Sequence, residues 1–225
     1  MTDRSDGLNQ VLAELRAAAD RPPERAVSAP PALYNRADVL DLEIERIFRK
    51  GWACAGFAAE IPNPGDYLTY SIVDQPVVVI RGDDGEVRAF SNVCRHRMAV
   101  LLEGRGAARR LICPYHAWTY GLDGGLIGAG HMERTACFDR GDYALPAVRC
   151  EVWNGFIYLT LNPDARGMAE TLAPLEPVVA RYDMAGYLPV LHQEQTWDTN
   201  WKVLVENFME GYHGPVAHKP RSASA

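Results

Sequence analysis

The apolar positions of this chain change their spacing twice. Over residues 6–20, DGLNQVLAELRAAAD, the apolar residues return at helical intervals, which predicts a short helix. The next stretch, RPPERAVSAPPALY, is broken by prolines and reads as an extended arm. RADVLDLEIERIFRKGW (36–52) again spaces its apolar residues for a helix. From Gly65 the runs become short and β-prone. DYLTYSIV and QPVVVIRG lead through DDGE to VRAFSNV, a hairpin signal, and RLICPYHAWTYGLDGGLIGA is a second hairpin candidate with Asp123-Gly124-Gly125 at its turn. VWNGFIYLTLN (152–162) reads as one β-prone run with a glycine in its interior. Residues 50–163 are therefore expected to form a compact antiparallel β domain.

After Asn162-Pro163 the character changes. MAETLAPLEPVVARYDM predicts helix broken or kinked at Pro174 and Pro177. LPVLHQEQTWDTN suggests a strand, and WKVLVENFMEGYHGPVAH is helical up to Gly214-Pro215. The closing KPRSASA is polar, with no packing content. The expected class is α+β. Residues 1–35 form a helix and arm, 36–163 the β domain, and 164–225 the beginning of a further domain.

Composition narrows the function. The 225 residues are 48% hydrophobic, enough for a core, and 29 acidic against 23 basic side chains give a net charge of −6. That balance disfavours a nucleic-acid footprint, which needs a basic face. The apolar runs, such as Val77–Ile80, are far too short to span a membrane. The polar start MTDRSDGLNQ has no secretory h-region, and five cysteines suggest no disulfide framework, so the cytoplasm is the expected compartment.

Two constellations carry chemistry. In NVCRHRMAVLLEGRGAARRLICPYHAW, Cys94-x-His96 is followed, after sixteen residues, by Cys113-x-x-His116. A short loop can aim two ligands at one centre, and two such loops make a closed four-ligand site. Structural zinc sites usually pair like with like, whereas each loop here supplies one thiolate and one imidazole. That mixture suits a [2Fe–2S] centre with two thiolates on one iron and two imidazoles on the other, where neutral ligands raise the reduction potential. The second constellation is ENFMEGYHGPVAH (206–218). Glu206, Glu210 and His213 recur at i+4 and i+3 and share a helix face. In an unbroken helix His218 would sit about 140° around from His213, and Gly214-Pro215 supplies the break that brings the two together.

Cys94-Arg95-His96-Arg97 with Cys113-Pro114-Tyr115-His116-Ala117-Trp118 resembles the Rieske signature, most closely that of the α subunits of Rieske non-haem iron oxygenases. The resemblance implies that Cys94 and Cys113 bind one iron of the [2Fe–2S] cluster and His96 and His116 the other. Respiratory Rieske proteins carry an extra disulfide-forming cysteine in each loop; Ala99 and Tyr115 stand at those positions here. Cys54, Cys137 and Cys150 are read as ordinary core or surface thiols. Asn200-Trp201-Lys202, Glu206-Asn207, Glu210, Tyr212-His213 and His218 resemble the mononuclear-iron motif of the same oxygenases.

That resemblance makes His213 and His218 two members of a two-His–one-carboxylate Fe(II) site, and Glu210 the carboxylate that bridges His213 to a cluster histidine of a neighbouring subunit in a trimer. Glu in place of Asp at 210 is more familiar among oxygenases of quaternary ammonium compounds. The family's third iron ligand is a downstream carboxylate, and Lys219 to Ala225 contain none. The chain is thus expected to be an N-terminal portion whose mononuclear site is incomplete and which is inactive alone. The resemblance further implies electrons from NAD(P)H through a separate flavin reductase, with or without a ferredoxin, and O₂-dependent hydroxylation of a small aromatic or quaternary ammonium substrate. The rival readings are a Rieske-type ferredoxin that only transfers electrons and a structural zinc protein.

Overall fold

The computed structural model describes residues 4–132 and 134–217. The chain divides into two compact units, Met1–Leu42 with Gln193–Ala225, and Glu43–His192. In the first, α1 (Arg4–Ala19) is followed by an extended arm and by the short helices α2 (Ala32–Asn35) and α3 (Ala37–Glu43). Val11, Leu33 and Val39 form its small core, with Leu8, Leu15 and Tyr34 packed around them. The helix expected over 36–52 is therefore shorter. It widens into a π turn at Ile44–Phe48 and ends there.

The sheets of the second unit are antiparallel throughout. Its strands are β1 (Ala53–Phe57), β2 (Asp66–Ile72), β3 (Gln75–Arg81), β4 (Val87–Ser91), β5 (Arg105–Ala107), β6 (Leu111–Ile112), β7 (Thr119–Tyr120), β8 (Leu126–Gly128), β9 (Ala147–Trp153) and β10 (Phe156–Thr160). Seven of them form a sheet in the order β1-β10-β9-β4-β3-β2-β5, and β6-β7-β8 form a second sheet. Alternation in β3 shows why its apolar run is unbroken. Val78 and Ile80 face one core with Phe90, Leu111, Trp118, Tyr120 and Leu126, whereas Val77 and Val79 face another with Leu68, Ala89, Ile157 and Leu159. Successive side chains of a strand point to opposite faces, so a strand buried on both sides is apolar at every position.

The expected hairpin at DDGE forms between β3 and β4, with Arg81 opposite Val87. The turn at 123–125 joins β7 to β8, and Gly124 has φ of +82°; a Cβ there would come within 2.6 Å of the Phe90 ring. Residues 152–162 are not one strand. Asn154 (φ +48°) and Gly155 (φ +85°) make a two-residue turn, with Trp153 paired to Phe156 across it. Positive φ at both central residues is the turn geometry that matches strand twist, and Asn-Gly is its preferred sequence.

Past the β domain, α4 (Met168–Leu172) and α5 (Glu176–Val179) are separated by a 3₁₀ turn that contains Pro174, as the prolines predict. The strand expected in LPVLHQEQTWDTN does not form. The segment has no ladder partner among the described residues, and Leu188, Val190 and Leu191 are 77%, 96% and 79% exposed. In the first unit, α6 (Trp201–Met209) is capped by Asn200, whose side chain accepts from the Lys202 amide and donates to the Tyr34 carbonyl at 2.9 Å. Tyr34 Oη also donates to Glu206 at 2.7 Å. The helix stops at Met209, not at Gly214-Pro215, and α7 (Gly214–Ala217) begins there instead. No helix among the described residues is long and apolar enough to cross a membrane.

Candidate metal centre

The two Cys/His segments are built on one backbone template. In the first, the Cys94 amide donates to the Ala99 carbonyl at 2.8 Å and the Met98 amide to the Cys94 carbonyl at 3.1 Å; in the second, Cys113 donates to Trp118 at 2.8 Å and Ala117 to Cys113 at 3.0 Å. Met98 (φ +56°) and Ala117 (φ +55°), each four residues after its cysteine, adopt the left-handed conformation that closes the loop. The histidine stands two residues after the cysteine in one loop and three after it in the other. The second loop heads the β6–β7 pair. The first does not head a regular hairpin. It follows β4 and is closed by the Val93–Val100 bridge and by the buried Asn92. Asn92 Nδ2 donates to the Leu102 carbonyl at 2.7 Å, and its Oδ1 accepts the Leu102 amide at 3.1 Å.

Depth sorts the four candidate ligands by element. Cys94 and Cys113 are 0% and 3% exposed and share one core, whereas His96 and His116 are at the surface, ring centroids 4.8 Å apart. Among the described residues, no three His, Cys, Asp or Glu side chains gather about a single ion. Two pairs, thiols behind and imidazoles in front, are instead what a binuclear centre asks for. Loss of hydration, then the neighbouring His116 and Arg97 charges, hold the His96 pKa below its ordinary value, toward the neutral form that ligates metal.

Two aromatic residues whose part was not legible in the sequence complete this site. Trp118, 2% exposed, stacks on His96 with centroids 4.8 Å and planes 8° apart. Tyr120 is fully buried, and its hydroxyl lies 3.3 Å from Cys94 Sγ while accepting the Arg95 amide at 3.0 Å. Against Cys94 as the thiolate that a metal ligand must be, sulfur has no proton to give and the hydroxyl is the donor. Burial, then the bond to Cys94, raises the Tyr120 pKa and keeps the hydroxyl a donor. Its β7 position opposite Leu111 was the available signal.

The second constellation is arranged differently from the expected helix face. Glu210 is extended (φ −123°, ψ 153°), beyond α6, so Glu206, Glu210 and His213 do not share one helix. The Glu210 carboxylate nonetheless meets His213: Oε2 accepts the Tyr212 and His213 amides, and Oε1 accepts from His213 Nδ1. The bond from His213 is the largest cause holding the Glu210 carboxyl below its usual pKa. Glu206 is engaged by Tyr34. His218 lies outside the described residues. The remaining thiols, Cys54, Cys137 and Cys150, are unbridged.

Known proteins share this arrangement. A family model for the Rieske [2Fe-2S] domain matches residues 51–139, and one for the ring hydroxylating alpha subunit (catalytic domain) matches 178–225. Residues 51–139 are thus a Rieske domain. The glycine betaine monooxygenase oxygenase subunit of Pseudomonas aeruginosa is 37% identical over 206 residues, 90% of this chain and 48% of the relative. The carnitine monooxygenase oxygenase subunit of Escherichia coli (strain K12) is 37% identical over 199 residues, 87% of this chain and 53% of the relative. Among solved structures, a quaternary ammonium Rieske monooxygenase in complex with L-carnitine gives a TM-score of 0.81 at 33% identity, covering 87% of this chain and 56% of the other. Naphthalene 1,2-dioxygenase from Rhodococcus sp. gives 0.84 at 30% identity, covering 97% and 50%. The chain belongs to the family of Rieske oxygenase α subunits, and it spans about half the length of the curated relatives it matches.

Proposed function

We propose that this chain is the electron-accepting part of a terminal oxygenase that hydroxylates a quaternary ammonium compound at the expense of O₂. The observation that carries the reading is the pairing of two buried thiols with two surface imidazoles in loops of one template. Cys94 and Cys113 would hold one iron of the cluster and His96 and His116 the other, within a Rieske domain spanning 36–163. His213 and His218, in the catalytic region 164–225, would hold a mononuclear iron. When bound, the cluster supplies one-electron transfer and the mononuclear iron supplies O₂ activation.

The chain's own residues orient these groups. Trp118 fixes the plane of His96, and Tyr120 donates to Cys94. Glu210, by accepting from His213 Nδ1, leaves Nε2 as the nitrogen that faces metal. In a trimer the same carboxylate would accept from a cluster histidine of the neighbouring subunit, which makes it the bridge between centres. Electrons would come from NAD(P)H through a separate flavin reductase, with or without a ferredoxin. The substrate class rests on the glycine betaine and carnitine relatives and on glutamate, not aspartate, at 210.

The test has two parts. Purified protein should contain two iron and two acid-labile sulfide per chain and, on reduction, give the low-average-g spectrum of a two-Cys, two-His centre. Stoichiometric zinc without sulfide refutes the cluster. The whole oxygenase, assayed with reductase, NADH and O₂, should turn over glycine betaine or carnitine in preference to naphthalene; the reverse preference refutes the substrate class.

A further inference from the structure

Each imidazole of the centre lies against an aromatic face, and the two faces differ in depth. His96, in the first loop, is backed by Trp118 of the second, a buried ring held edge-on by Phe138 and Tyr143 at centroid distances of 5.7 and 5.4 Å. His116 is backed by Tyr115, with ring centroids 3.8 Å apart and planes inclined at 35°. Tyr115 is 54% exposed, so the core does not hold it. What lies over its ring is a cation from the other loop: the Arg97 Cζ is 5.1 Å from the Tyr115 centroid. A guanidinium at that distance is attracted to the ring's negative face.

We propose that Arg97 is a positioning residue for His116, acting through Tyr115. The bracing is reciprocal: the second loop holds the first loop's imidazole by stacking, and the first loop holds the second loop's imidazole by a cation over its tyrosine. The two braces are unequal, because one is in the core and the other is in solvent. His116 is therefore the ligand whose orientation can be altered by a surface substitution. The inference rests on the reading of His96 and His116 as cluster ligands.

The chain is purified with its cluster, and Arg97→Gln, Arg97→Lys, Tyr115→Leu and Tyr115→Phe are compared with wild type. Readouts are iron and sulfide content, histidine-nitrogen hyperfine couplings of the reduced centre, and the rate of cluster loss to a chelator. R97Q and Y115L should shift one of the two histidine couplings and leave the other. They should lose cluster about two- to fivefold faster, the population factor that an exposed cation–π contact controls. R97K and Y115F keep the cation and the ring, and should stay at wild-type values. In the Y115L background, R97Q should add nothing further.

Unmoved couplings and loss rate in R97Q, at full iron and sulfide, overturn the inference while leaving the cluster reading intact. Additive effects in the double variant overturn the route through Tyr115. A wild-type chain without sulfide overturns the cluster reading and the inference together. Arg97 is exposed, so R97Q decides the matter even if Y115L does not fold.

Discussion

Removing one oxygen atom from the centre tests how the fold tunes it. Tyr120→Phe deletes the hydroxyl that sits 3.3 Å from Cys94 Sγ and leaves the Arg95 amide without its 3.0 Å acceptor. The phenyl ring fills the same buried space, so packing in the core is kept. A hydrogen bond to a charged acceptor contributes about 1.5–3 kcal/mol. One-electron reduction adds negative charge to the sulfur ligands and strengthens the bond; taking the part gained only in the reduced state as about a third gives about 0.5–1 kcal/mol. At about 1.4 kcal/mol and about 59 mV per tenfold for a one-electron couple, the midpoint potential should fall by about 20–45 mV. A redox titration followed by circular dichroism, with iron and sulfide content measured in parallel, reads this directly. A potential that stays put or rises, in a fully loaded variant, refutes the assignment of the hydroxyl proton to sulfur.

Gly155→Ala should be strongly destabilising, because Gly155 has φ +85° and a Cβ would come within 2.4 Å of the Phe57 ring; thermal denaturation should show a loss of about 2–4 kcal/mol. Asp84 accepts two bonds from Arg88, at 2.7 and 2.6 Å, and one from the Glu86 amide, which hold its pKa far below the ordinary value. A depressed carboxylate stabilises the fold above its unfolded pKa, so the advantage of wild type over Asp84→Asn should be complete above about pH 4 and shrink as pH falls further. An advantage that grows on acidification would contradict this. Glu210→Gln should leave cluster content unchanged in the whole oxygenase and lower single-turnover rates, since Gln accepts more weakly from His213; equal rates would make Glu210 a local cap only.

The β domain was legible because its physics is local and repetitive. Alternation in β2, the unbroken apolar run of β3 and the turn glycines each follow from one sheet buried on two faces. The four candidate cluster ligands were legible for a similar reason, since residue type and spacing suffice when both loops are short. Three features were not. Asn154-Gly155 reads as the interior of one β-prone run, yet Asn-Gly between β-prone runs is also a hairpin turn, and the structure forms the turn. The 188–200 strand failed because β-propensity needs a ladder partner, and none is present among the described residues. Helix α6 stops early because the Glu210 side chain, by accepting the Tyr212 and His213 amides, offers the backbone an alternative to the next helical turn. Phe208, Met209 and Tyr212, at 75%, 81% and 95% exposure, have little packing to oppose that choice. Tyr120 and Trp118 acquire their roles only once β7 brings them beside the first loop.

The left-handed residues that close the two loops set a filter on how this sequence can drift. Met98 is 71% exposed and Ala117 is also at the surface, so neither position is restricted by what its side chain touches. Each is restricted by backbone angle alone. For an L-residue that conformation costs about 1–2 kcal/mol relative to glycine, and β-branched side chains fare worst there. Lineages descending from this chain can therefore move to glycine or asparagine at 98 and 117 with a gain in stability. Valine, isoleucine and threonine cost most there, although Val73 (φ +58°) shows that the chain tolerates one such residue elsewhere. Two positions that hold no metal thus carry narrow residue alphabets, and their narrowness would report the loop geometry even where the ligands themselves had been replaced.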